Sequence, residues 1–212
     1  MYIESIDKKT NRILEKIKAS GVARDFYLAG GTALTLQLGH RLSIDLDWFS
    51  AKPFSALKLK SALARIGKLK IVGEEKGTLH AILDGVKVSF FHYNYKPIFP
   101  LVAMDRDNDK KGVMLADKKD IAAMKIDAIS SRGSKKDFID LYFLLQEYSL
   151  GDIIGFFEKK YRGIAYNKMH VLKSLTYFDD AEREPMPIML KRISWAGVKK
   201  SIAESVSESL DF

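Results

Sequence analysis

Cysteine is absent from the 212 residues, so disulfides and thiolate metal centres are excluded. No run of roughly 18 apolar residues occurs, which gives no candidate membrane-spanning helix. Internal repeats and low-complexity tracts are also missing. The N-terminal MYIESIDKKTNRILEK is charged and lacks the apolar core of a secretory signal, so a cytoplasmic location is expected. Acid is the scarcer charge. There are 27 Asp and Glu against 35 Lys and Arg, a net charge of +8 and a pI of about 9.4. Such a balance is compatible with a nucleic-acid partner and says nothing of fold. Basic pairs such as Lys8-Lys9, Lys118-Lys119, Lys135-Lys136 and Lys199-Lys200 fall on predicted helices, where a solvated face explains them. What is present suffices for a core: 47% of residues are hydrophobic. The length suits one ordinary domain, or a small α/β domain with a helical partner.

One stretch organises the rest, FYLAGGTALTLQLGHRLSIDLDWFS at 26–50. It predicts a short strand, a glycine pair at Gly30 and Gly31, a helix ending near Gly39, a basic turn and a second strand. Asp45 and Asp47 are two apart on that strand, so both point to one face, with Leu46 and Trp48 on the other. Two like charges side by side repel, and a strand that keeps both wants a cation between them. Glycines at a strand-to-helix bend let a ligand approach the backbone, and the N–H groups opening a helix favour an anion. A phosphate cradle beside a two-carboxylate clamp suits a nucleoside triphosphate with magnesium or manganese. Either feature alone has a plainer explanation, a turn or a solvated strand end; their order and closeness carry the specificity. Arg41 either meets a phosphate or pairs with Asp45 or Asp47. His40, in the same turn, needs no special task.

The flanking segments predict a helix at 5–19, stopped by Gly21, and a second helix from Ser55 to about Ile66 burying Leu57, Leu59, Leu63 and Ile66. A short strand at 69–73 and a turn at 73–77 follow. Asp84-Gly85 is a two-residue turn signal within a hairpin from Leu79 to Phe91, setting Leu83 opposite Val86 and His80 opposite Ser89. Residues 93–109 read as a loop with a charged tip, MDRDNDKK, and 113–116 as an edge strand. The predicted fold is α/β or α+β, with a small mixed sheet in 1–112 and a helical half in 113–212, the two leaving a cleft.

In the second half, Asp117 and Asp120 suggest a capped helix whose buried stripe is Ile121, Met124, Ala128 and Ile129, ended by Gly133. Lys125 and Arg132, seven apart, share a face two turns apart. Ser134 and Asp137 read as a capping box for the next helix, with Phe138, Leu141, Tyr142 and Leu145 toward the core and Asp140 close by. A snorkelling stem explains Lys125 as well as a phosphate ligand does. Helices are expected at 152–161, 167–176 and 194–210, with an acidic turn of Asp179, Asp180, Glu182 and Glu184 before Pro185 and Pro187.

GGTAL followed by HRLSIDLDWF resembles the opening motif of the nucleotidyltransferase fold, and more narrowly the AbiEii/AbiGii toxin-like nucleotidyltransferases. The resemblance returns in DIAAMKIDAISSRGSKKDFIDLYFLL at 120–145 and in LTYFDDAEREPMP at 175–187. It implies transfer of a nucleoside monophosphate from an NTP to an acceptor hydroxyl, with Asp45 and Asp47 on the metal and Gly30, Gly31 and Thr32 at the β- and γ-phosphates. It implies that Lys125 reaches the triphosphate and that Asp137 or Asp140, in the pattern Lys136-Asp137-x-x-Asp140-Leu141, supplies acid or base function. It further implies a toxin of a toxin–antitoxin or phage-defence pair, an RNA acceptor such as tRNA, and a DNA-binding antitoxin as partner. The broader fold carries a third carboxylate where Ser89 stands, and serine cannot act as a carboxylate base. That departure keeps two alternatives open: a catalytically weakened nucleotide- or RNA-binding protein, and a nucleotidyltransferase that modifies protein. His80 beside Ser89 is a candidate helper or a structural histidine.

Overall fold

A computed structural model describes residues 1–105 and 112–210. The chain divides into two compact units, Met1–Asp117 and Lys118–Phe212. Most of the charged tip expected at 104–111, from Arg106 to Lys111, lies outside the described residues.

The first unit contains strands β1 (Tyr27–Ala29), β2 (Leu46–Ser50), β3 (Leu69–Glu75), β4 (Thr78–Leu83), β5 (Val86–His92), β6 (Val102–Ala103) and β7 (Met114–Leu115). They form one mixed sheet in the order β3-β4-β5-β2-β1-β7-β6. β2 is its middle strand, antiparallel to β1 and parallel to β5. Helix α1 (Lys8–Ser20) begins where the Asp7 carboxylate accepts the Thr10 N–H at 2.6 Å, and it buries Ile13, Leu14 and Ile17. Helix α2 (Gly30–Leu38) follows β1 directly and is buried almost all round. Helix α3 (Ala56–Ala64) is capped by Ser55 and buries Leu59 and Leu63. Along β2, Leu46 and Trp48 are fully buried, and Trp48 stacks on Phe90 of the neighbouring strand with centroids 6.3 Å apart. Each such side chain contributes roughly 1.5–3 kcal/mol through burial.

The hairpin stands in the expected register: Leu83 faces Val86, and His80 faces Ser89. Asp84 and Gly85 both have positive φ, 47° and 80°, as a type I′ turn requires. Four expectations need correction. Residues 73–75 continue β3, and the turn tightens to Lys76 and Gly77, because Glu75 still pairs with Thr78. Leu57 is 72% exposed, since it points away from the Leu59–Leu63 face of α3. Residues 93–109 are not all loop: Val102 and Ala103 pair antiparallel with β7. That pairing leaves β7 inside the sheet, between β1 and β6, and not at its edge.

The second unit is helical: α4 (Lys118–Ser131), α5 (Lys135–Leu144), α6 (Leu150–Lys160), α7 (Lys168–Ser174), α8 (Asp179–Glu182) and α9 (Trp195–Leu210). Ser149 and Asp152 form a capping box at α6. Val198, Ile202 and Val206 of α9 are buried, while Phe138, Phe178 and Trp195 pack as an aromatic cluster with centroids 4.9–6.1 Å apart. α4 is buried more broadly than one stripe. Ala122, Ala123 and Ile126 are buried with Ile121 and Ile129, while Met124 and Ala128 are only half-buried. The acidic stretch is not an open turn. It forms α8, and Glu184 accepts the Lys135 N–H that opens α5, at 2.9 Å. No helix among the described residues is long and apolar enough to cross a membrane.

The sequence suggests Asp120 as a capping residue, yet its carboxylate is fully buried and accepts from Lys160 Nζ at 2.7 Å, joining α4 to α6. Removing one partner of a buried pair strands the other charge without solvent. We expect Asp120→Asn to destabilise the protein by about 3–5 kcal/mol in urea unfolding, and Asp120→Leu with Lys160→Met together to cost far less.

Candidate active site

The bend between β1 and α2 needs glycine. Gly30 has φ +67°, and a Cβ placed there would lie 3.2 Å from Asp47 Oδ2. Backbone and carboxylate therefore meet with no side chain between them. A Cβ on Gly31 would collide with the guanidinium of Arg41. That arginine is 3% exposed, and its Nη1 donates to the Leu42 carbonyl at 3.1 Å. The opening N–H groups of α2, the carboxylate of Asp47 and the cation of Arg41 are thus gathered at one bend. Helix-start N–H groups have no partner within their own helix and attract anions.

Asp47 lies in β2, and Asp45 lies one residue before the strand. Both are half-buried, alternating with buried Leu46 and Trp48, the pattern a shared outward face requires. Thr32 has a task the sequence did not signal. Its hydroxyl donates to the Asp45 carbonyl and lies 2.8 Å from Ser43 Oγ, so it anchors the segment entering β2. With that side chain so occupied, Thr32 offers an anion its backbone N–H.

Across the sheet, Ala29, Asp47, Ser89 and His80 fall in one register row. Ser89 stands directly beside Asp47, where a third carboxylate was sought. It is 1% exposed, and its Oγ lies 3.1 Å from His80 Nδ1. One pleat away, Phe49 and Phe91 stack with centroids 4.9 Å apart. They lie on the Asp47 face of the sheet and brace β2 against β5. His40 is fully buried.

Two carboxylates without sulfur or imidazole suit a hard cation. Among the described residues, no group of three or more His, Asp or Glu side chains is arranged to hold a metal. Asp45 and Asp47 would therefore leave most of a magnesium shell to water and phosphate. Magnesium commonly binds in this way, through one or two carboxylates and its substrate's oxygens. The donor set fits that ion.

In the second unit, Lys125 Nζ lies 2.7 Å from Asp137 Oδ1 and 2.6 Å from Asp140 Oδ2, all three side chains being buried. Arg132, one residue past the end of α4, reaches the same Asp137, Nε to Oδ2 at 3.1 Å. The shared face of Lys125 and Arg132 thus converges on one carboxylate. The expected capping box at Ser134 does not form. Ser134 Oγ donates to Asp137 Oδ2 at 2.8 Å, because the two cations draw that carboxylate away from the helix start. Burial pushes the Asp137 carboxyl up, but Lys125 and Arg132 outweigh it and hold it below the usual value of 3.8. Lys136 is exposed, and Leu141 is in the core.

Residues 12–211 match the family model described as nucleotidyl transferase AbiEii toxin, type IV TA system. An uncharacterized Aquifex aeolicus (strain VF5) protein, aq_aa25, is 40% identical over 186 residues, covering 86% of this chain and 87% of that one. Among solved structures, JHP933 from Helicobacter pylori superposes with a TM-score of 0.56 at 16% identity, covering 98% of each chain. MenT4, a nucleotidyltransferase toxin from Mycobacterium tuberculosis H37Rv, superposes with a TM-score of 0.51 at 13% identity, covering 94% of this chain and 84% of that one. These two likenesses concern the fold.

Gly30→Ala forces a Cβ into left-handed backbone and against Asp47. We expect a loss of about 1–2 kcal/mol in stability, and weaker binding of a magnesium–nucleoside triphosphate in calorimetry. For Asp137, the depressed pKa adds stability above the ordinary carboxylate value. That contribution is lost as pH falls through the lower folded value. Asp137→Asn is therefore expected to melt earlier at neutral pH, with the gap to wild type closing in acid.

Proposed function

The chain belongs to the AbiEii nucleotidyltransferase toxin family, and from that premise we propose that it transfers a nucleoside monophosphate from an NTP to a hydroxyl of RNA, tRNA being the favoured acceptor. The observation that carries this reading is the Asp47 carboxylate set against the Gly30 backbone at the opening of α2. In the reaction, the acceptor oxygen bonds to the α-phosphorus, the bond to the bridging oxygen breaks, and pyrophosphate leaves with that oxygen. The acceptor proton passes to a base or to water. Asp45 and Asp47 would hold magnesium, which neutralises charge at the attacked phosphorus when bound. The N–H groups of Gly30, Gly31 and Thr32 would hold the β- and γ-phosphates, with Arg41 adding positive charge beside Gly31.

Family resemblance also assigns Lys125 to the triphosphate and Asp137 or Asp140 to acid or base function. Their mutual ion pairs give all three a structural task as well. Within this proposal the two roles separate by comparing melting temperature with transfer rate in Asp140→Asn. A toxin family implies a cognate antitoxin, and we include a DNA-binding one among the proposed partners. Cytoplasmic location and a part in phage defence belong to the same proposal.

Ser89 in register with Asp47 favours a second reading, a protein that binds nucleotide or RNA with weakened catalysis. One assay separates the readings. Purified protein is incubated with each labelled NTP, magnesium and total RNA. Label in RNA that falls by at least 100-fold in Asp47→Ala supports the proposed enzyme. Binding without label favours the second reading, and label in protein makes a protein side chain the acceptor.

A further inference from the structure

We infer that the second unit seats one unpaired nucleotide of the acceptor RNA in a cavity between the C-terminal end of α4 and α7; this deepens the proposed function and rests on its RNA acceptor. The cavity has a volume of about 430 Å³ and lies wholly among residues of this unit. Small-molecule sites span roughly 300–1,000 Å³, so it is large enough for a base with its sugar. Ser130 and Ser174, with Oγ atoms 3.0 Å apart, join the two helices along it.

Its lining combines three kinds of group that a nucleotide needs. Arg132 and Lys173 supply positive charge. The Arg132 side chain is 68% exposed, yet its Nε is anchored on Asp137, so the guanidinium is held in one orientation. Preorganisation of this kind lowers the cost of gripping a phosphate. Tyr177 supplies an aromatic ring that is 55% exposed. A ring left open to water inside a cavity is a stacking surface for a base. Asp180 supplies a carboxylate acceptor, matching the exocyclic amine of adenine, cytosine or guanine, which uracil lacks.

A peptide would offer Tyr177 no flat heteroaromatic base to stack on and Lys173 no backbone phosphate. Duplex RNA keeps its bases stacked within the helix, whereas an unpaired nucleotide can turn its base outward onto an aromatic side chain. The cavity therefore fits a single strand. Only part of this was visible in the sequence: Tyr177 and Asp180 lie in LTYFDDAEREPMP, but nothing in the periodicity singled out Lys173 or the open end of α4.

The test uses full-length protein carrying Asp47→Ala, so that no transfer occurs, and a fluorescent single-stranded RNA of mixed sequence. Anisotropy is expected to show about tenfold or greater loss of affinity on adding Tyr177→Ala. Lys173→Glu is expected to weaken binding similarly and to reduce the salt dependence by about one unit of slope. Oligo-A is expected to bind more tightly than oligo-U, and Asp180→Ala to remove the difference. The side chains changed are exposed, so melting temperatures should hold. Unchanged affinity in both Tyr177→Ala and Lys173→Glu overturns the inference, and so does an equal loss for duplex RNA. It is likewise overturned if Tyr177→Ala weakens a free NTP, which would put the donor in the cavity. If wild-type protein in the transfer assay labels protein instead of RNA while single-strand affinity is intact, the acceptor reading is overturned and the cavity's ligand stands.

Discussion

β2 is clamped on both sides, antiparallel by β1 and parallel by β5, and this double pairing dictates where Asp47 points. A middle strand cannot slip by one residue without sending Leu46 and Trp48 to the polar face and the carboxylates into the core. The fully buried Trp48 is therefore what makes the opposite placement of Asp47 compulsory. β1 then ends beside Asp47, with Ala29 as its partner in the row, and the next residue must turn. Gly30 follows from that geometry: only a residue without a Cβ fits the left-handed backbone and the 3.2 Å approach to the carboxylate.

In the first unit the Asp47 carboxylate and Arg41 lie beside the backbone N–H groups that open α2. In the second, buried charges answer one another. Lys160 meets Asp120, and Lys125 meets Asp137 and Asp140, all at hydrogen-bond distance and out of water. Such pairs add little net stability compared with apolar packing, yet losing one partner is costly. Substituting Lys125 or Asp137 alone therefore strands a buried charge, a folding defect independent of any chemistry.

Family membership and local geometry carry different weights. The match over residues 12–211 places the chain in the AbiEii nucleotidyltransferase toxin family. The choice of nucleotide and acceptor depends on side-chain arrangement. Ser89 is the sharpest case. It stands in register with Asp47, and it is hydrogen-bonded to His80.

Much of the first unit was legible from local rules. Strand, glycine pair, helix and carboxylate strand followed from the period-two pattern and the glycines. The hairpin register followed from Asp84-Gly85, because a two-residue turn leaves no freedom in pairing. The stop at Gly21 was equally local, whereas the helix expected from residue 5 begins only at Lys8, after the Asp7 cap. Tertiary structure alone decided the rest. It drew Asp120 and Asp137 from capping into ion pairs with lysines 40 and 12 residues away. It set β7 inside the sheet, tied Thr32 to the Asp45 carbonyl, and opened a cavity beneath Tyr177. The physical reason is common to all of these: periodicity and turn chemistry report a residue's near neighbours, whereas the partner of a buried charge, or the room beside an exposed ring, depends on which distant elements pack together.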